Sequence, residues 1–109
     1  MTRRVVITGM GCVTPLGHDV ETVWRALLAG ESGLAPITLF DASTFPSQFA
    51  AEVKDYELPA ELAASGLHAH AGRHGRFALG AALQAWRASG MDAAEGVDPH
   101  RIGIYLGSG

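Results

Sequence analysis

The sequence has a single cysteine, Cys12, and no excess of positive charge. One cysteine cannot form a disulfide within the chain, which is typical of proteins in a reducing, cytoplasmic compartment. Eight lysines and arginines stand against eleven aspartates and glutamates, so the formal net charge is −3. Because the chain is mildly acidic and shows no basic face, we expect no nucleic-acid partner.

Long apolar runs are also missing, although 48% of the residues are hydrophobic. No stretch approaches the roughly 20 apolar residues that a membrane-spanning helix needs. An arginine pair precedes an apolar stretch, as in a secretion signal, but Gly9, Gly11 and Pro15 interrupt that stretch before a hydrophobic region can form. The composition therefore favours a soluble globular chain of one short domain's length, without a membrane partner.

Residues 5–17, VVITGMGCVTPLG, place two glycines one residue apart after a β-branched run. A dinucleotide-binding loop begins in this way, but its third glycine would fall at Thr14, and Pro15 follows where a helix should already be running. A small nucleotide-binding module is thus an alternative that the spacing disfavours.

Cys12 lies directly behind the glycines. A nucleophilic cysteine needs a base within reach or a lowered thiol pKa, and no neighbouring residue supplies either. The apolar context predicts a small packed side chain instead.

The pattern predicts two helices and three strands. Asp19 is a good N-cap for a helix whose apolar positions repeat at helical spacing and which ends at Gly30. A second helix is predicted over about residues 73–88, closed by Ser89 and Gly90. Strands are predicted over about residues 4–8, 49–53 and 102–106, and residues 31–48 are predicted to be a long connection with turn residues throughout.

Two of these elements have apolar surfaces that the other predicted elements of the chain are too few to bury. The middle of the second helix, FALGAALQAW, is apolar or small on nearly all sides, and the last strand, in RIGIYLGSG, is continuously apolar. Such elements are typical of a buried helix and of a strand covered on both faces. We therefore expect an α/β fold built in layers, a mixed sheet with a buried helix, of which this chain is an incomplete part.

Four segments in order resemble the N-terminal part of the beta-ketoacyl-acyl carrier protein synthases of the elongating type. They are RRVVITGMGCVTPLG, VWRALLAGESGLAPITLFDASTFPSQFAAEVKD, RFALGAALQAWRASGM and DPHRIGIYLGSG. The resemblance implies that residues 1–109 are a partial N-terminal domain with the thiolase-like fold. It also implies a condensing enzyme, usually a homodimer, that works on acyl carrier protein and malonyl-acyl carrier protein in fatty-acid or polyketide synthesis.

The resemblance places no catalytic, cofactor-binding or metal-binding residue in this chain. In the family, the nucleophilic cysteine and the two histidines that assist decarboxylation lie beyond the matched segments, and Cys12 matches a position that does no chemistry. Gly107, Ser108 and Gly109 lead into the loop that lines the acyl pocket of relatives. A truncated, non-catalytic synthase-like chain is the alternative, and in either case we expect the 109 residues alone to be inactive.

The segment before the second helix departs from the family pattern. Relatives carry basic residues there and then an aspartate before an arginine, whereas here Gly72 takes the acidic place and Arg73 matches. If the helix included them, His70 and His74 would share a face as metal ligands can. No carboxylate or cysteine stands close in sequence to complete such a site, so we predict exposed histidines here, His68 included, and also at His18 and His100.

Overall fold

The computed structural model describes residues 2–108 and shows helices with one small sheet. In chain order the elements are α1 (Val20–Leu28), β1 (Leu34–Pro36), β2 (Phe49–Ala51), α2 (Ala60–Ala64) and α3 (Arg73–Ser89). Two single 3₁₀ turns follow, at Met91–Ala93 and Pro99–Arg101. The predicted α/β class is confirmed, as are the positions of both main helices.

Helix α1 begins and ends as its sequence predicts. The Asp19 carboxylate accepts a hydrogen bond from the Thr22 backbone N–H at 2.8 Å, which is the bond of a capping side chain. Gly30 follows the helix with φ +71°, a conformation that glycine adopts without strain. Of the helix residues only Ala26 is buried, so the apolar face of α1 is largely open.

Strands β1 and β2 form an antiparallel pair, with Leu34 opposite Ala51 and Pro36 opposite Phe49. The strand predicted over 49–53 is confirmed but shorter, and β1 lies inside the stretch that was predicted to be an irregular connection. Its proline and turn-rich surroundings concealed it, since proline is tolerated in a strand only at an edge or an end. Beyond β2, the Glu52 carboxylate accepts a hydrogen bond from the Thr38 hydroxyl at 2.7 Å.

The strands predicted at residues 4–8 and 102–106 are not formed within the described part of the chain. Val5, Ile7, Ile104 and Tyr105 are 93%, 84%, 92% and 97% exposed. A strand needs a neighbour to pair its backbone N–H and C=O groups, and residues 2–108 place no strand beside either segment. The only sheet in these residues is therefore the two-stranded hairpin, rather than the mixed sheet that was expected.

Helix α3 matches the predicted range closely, and Gly90 ends it with φ +69°. The expectation that it is buried on all sides is wrong for the described residues. Gly80 alone is buried, whereas Phe77, Leu79 and Leu83 are half-buried and Trp86 is 38% exposed. The helix lacks cover from the apolar segment at 102–106, since Ile104 and Leu106 are themselves 92% and 73% exposed.

The described chain buries little of its own apolar surface. Its radius of gyration is 17.4 Å, against about 13 Å for a compact chain of this length. Its accessible surface is 8928 Å², against about 5,800 Å² for a folded monomer of 11.4 kDa. Ala26 and Ala42 are the hydrophobic residues that are buried among those described. The elements are thus well formed locally but share no large core.

Candidate functional site

The glycine-rich segment from Gly9 to Gly17 packs directly on α3. A Cβ built on Gly9 would lie 2.2 Å from the carbonyl oxygen of Ala85, and one built on Gly11 would lie 2.0 Å from that of Ala81. Real Cβ atoms do not approach so closely, so both positions require glycine for this contact. The two glycines therefore have a packing role in this structure.

The side-chain amide of Gln84, on α3, forms two hydrogen bonds with the backbone of the N-terminal segment, one through its oxygen and one through its nitrogen. The Cys12 backbone N–H donates to Gln84 Oε1 at 3.2 Å, and Gln84 Nε2 donates to the His18 carbonyl oxygen at 2.6 Å. Because the amide is partly buried, these two bonds replace water for groups that would otherwise be left poorly satisfied.

The backbone after Gly11 does not form a phosphate-binding loop. Thr14 and Gly17 exchange two backbone hydrogen bonds, at 2.8 and 3.2 Å, across a tight turn. Helix α1 begins only at Val20, and the Cys12 N–H is already engaged by Gln84. A dinucleotide loop needs the helix N-terminus directly behind its glycines, and this geometry does not provide it.

Cys12 is half-buried, and its environment disfavours the thiolate. Burial raises the pKa of the Cys12 thiol above its ordinary value, and the negative charge of Asp19 raises it further. A nucleophilic cysteine needs the opposite shift. The surroundings therefore support the prediction that Cys12 is a packed side chain.

A small aromatic cluster joins three parts of the chain around Tyr56. Its ring meets His18 edge-on at 5.2 Å between centroids and Phe77 at 5.4 Å. The Tyr56 hydroxyl lies 1.7 Å from where a Cβ of Gly80 would stand, so a side chain at Gly80 would require the Tyr56 ring to move. Burial raises the pKa of Tyr56. The prediction that His18 is an unpartnered surface residue is wrong, because this cluster half-buries it.

Arg73 makes two contacts that hold the start of α3 in place. Its guanidinium donates to the Val53 carbonyl oxygen at 2.7 Å and lies 5.3 Å from the centre of the Phe77 ring. Gly72 is the N-cap residue and offers no side-chain cap. The helix start therefore depends on Arg73 and backbone bonds.

The histidines near α3 do not come together as a metal site. Since α3 begins at Arg73, His70 precedes it and does not share a helical face with His74. Residues 2–108 hold no group of three or more histidine, cysteine, aspartate or glutamate side chains that could hold a metal ion. His70, His74 and His100 are exposed as predicted, whereas the prediction that His68 is exposed is wrong, because His68 is half-buried.

Gly107 and Ser108, predicted to lead toward an acyl pocket, are exposed, and Gly109 lies outside the described residues. The segment before them contributes Ile104 and Leu106 to an open apolar groove of about 300 Å³ on α3. The other lining residues are Gly75, Ala78, Leu79 and Ala82. No helix in the described range has the length and apolarity to cross a membrane.

Comparison with known proteins identifies the family. The profile of the beta-ketoacyl synthase N-terminal domain matches residues 2–109. The chain belongs to the beta-ketoacyl synthases. This result confirms the resemblance of its four segments, and the elements described above are those of a beta-ketoacyl synthase N-terminal domain.

Relatives of this beta-ketoacyl synthase chain are much longer than it is. It is 49% identical to 3-oxoacyl-[acyl-carrier-protein] synthase 2 of Coxiella burnetii over 98% of the chain, but over only 25% of that relative. It is 37% identical to synthase 2 of Vibrio harveyi, again over 98% and 25%. Among solved structures, the ishigamide ketosynthase/chain length factor matches with a TM-score of 0.64 at 37% identity. That match covers 81% of this chain and 22% of the other. The chain thus spans about a quarter of these relatives.

Two residues that organise this part of the synthase were missed from sequence. Gln84 is the one polar side chain in the apolar stretch FALGAALQAW, and a lone amide in such a setting indicates a specific hydrogen-bonded role. No sequence pattern indicated that Tyr56 joins an aromatic cluster, because its partners His18 and Phe77 are far from it in sequence.

Proposed function

We propose that this chain is the N-terminal segment of a condensing enzyme that elongates acyl chains on acyl carrier protein. The supporting observation is that 98% of the chain matches a 3-oxoacyl-[acyl-carrier-protein] synthase at 49% identity, over 25% of that synthase. Within that enzyme residues 1–109 form part of the N-terminal domain, in fatty-acid or polyketide synthesis.

The proposed reaction has two steps. An acyl group passes from the carrier protein's thiol to a cysteine of the enzyme, and the carrier thiol leaves. Malonyl-acyl carrier protein then loses CO₂, and the resulting carbanion attacks the acyl thioester, forming a carbon–carbon bond and releasing the cysteine thiolate. The nucleophilic cysteine and two histidines are supplied outside residues 1–109.

The role of this chain in that enzyme is to hold the fold around the reaction. Gly9 and Gly11 bring the N-terminal segment onto α3, and Gln84 fastens it there. The segment ending in Gly107, Ser108 and Gly109 leads from α3 toward the loop that lines the acyl pocket. We propose that the complete enzyme is a cytoplasmic homodimer and needs no cofactor or metal within this segment.

A chimera tests the proposal directly. In this chimera, called the host chimera below, residues 1–109 replace the matching quarter of the Coxiella burnetii synthase. We expect it to form 3-oxoacyl thioester from acyl- and malonyl-acyl carrier protein at a rate within about tenfold of the parent, a difference of about 1.4 kcal/mol in activation free energy. A folded host chimera without turnover would contradict the proposal and favour a degenerate, non-catalytic segment.

A further inference from the structure

We draw no further inference here: the strongest candidate, the apolar groove that Gly75, Ala78, Leu79 and Ala82 of α3 form with Ile104 and Leu106, is an unpartnered apolar face, and nothing in the structure shows what covers it.

Discussion

Gly11 lies so close to Ala81 that no side chain fits between the two backbones: a Cβ on Gly11 would stand 2.0 Å from the Ala81 carbonyl oxygen. Both partners are backbone, so rotating a side chain cannot relieve the overlap. The contact joins residues about seventy positions apart and fixes how the N-terminal segment lies on α3.

Replacing Gly11 by alanine should therefore destabilise the fold. We expect Gly11→Ala to lower the free energy of unfolding by about 1–3 kcal/mol, the usual cost of overpacking. The measurement is the denaturation midpoint of the host chimera.

Gly75→Ala is the matched control for that substitution. A Cβ there would meet only the Ala71 methyl at an ordinary 3.7 Å, and Gly75 lies within α3, where alanine is the better helix former by about 1 kcal/mol. The control should be neutral or stabilising. Equal midpoints for the Gly11 and Gly75 variants would contradict the packing described here.

Gln84→Met should weaken the attachment of the N-terminal segment. Methionine keeps the length of the side chain but leaves the Cys12 N–H and the His18 carbonyl without their partner. We expect a loss of about 1–2 kcal/mol in the free energy of unfolding of the host chimera.

Gln48→Met provides the comparison, because Gln48 also donates to two backbone carbonyls, of Ser43 and Phe45, but in an exposed place. Water replaces exposed bonds at little cost, so its effect should stay below about 0.5 kcal/mol. If both variants cost the same, the bridging role of Gln84 is wrong.

Structural features that depend on residues close together in sequence were predictable, and contacts between residues far apart in sequence were not. Helix α1 was predictable because its cap at Asp19 and its apolar spacing are local, and the end of α3 at Gly90 is local in the same way. The residues that the two glycines contact on α3, Ala81 and Ala85, were not predictable, because no local pattern encodes them.

The two predicted strands that do not form show where prediction from composition fails. Residues 4–8 and 102–106 have the composition of buried strands, yet Ile7 and Ile104 are 84% and 92% exposed. The composition of a segment indicates that it would fit in a buried sheet. The backbone hydrogen bonds of a sheet also require a partner strand at hydrogen-bonding distance. The same argument explains why the burial of α3 was overestimated.

Asp19→Asn should lower the pKa of the Cys12 thiol. Burial is the larger cause of the raised pKa and stays in place, whereas the repulsion between the Asp19 carboxylate and the thiolate is removed. Asparagine caps helices as well as aspartate does, so α1 should persist. The pH profile of iodoacetamide alkylation at Cys12, followed by peptide mass spectrometry in the host chimera, should shift to lower pH. An unchanged or upward shift would show that Asp19 does not act on the thiol.

The 109-residue chain expressed by itself should be aggregated or molten. Val5, Ile7, Ile104 and Leu106 are at least 73% exposed, and each large apolar side chain left in water forfeits about 1.5–3 kcal/mol. Several such losses consume a typical total stability of about 5–15 kcal/mol. We expect strong binding of a hydrophobic dye and poor amide dispersion by NMR. A monomer with a cooperative melt and sharp, dispersed amide signals would contradict this expectation and favour an independently folding module.

The central claim is that this chain supplies scaffold and not the nucleophile, and acyl transfer tests it most directly. The chain and the host chimera are each incubated with radiolabelled acyl-acyl carrier protein, and the labelled peptide is identified. We predict label on the host chimera confined to a cysteine outside residues 1–109, because the folded surroundings of Cys12 raise the pKa of its thiol and disfavour the thiolate. We also predict no label on the 109-residue chain by itself, because no residue near Cys12 in sequence supplies a base. Acylation within residues 1–109 that disappears in Cys12→Ala would contradict the claim.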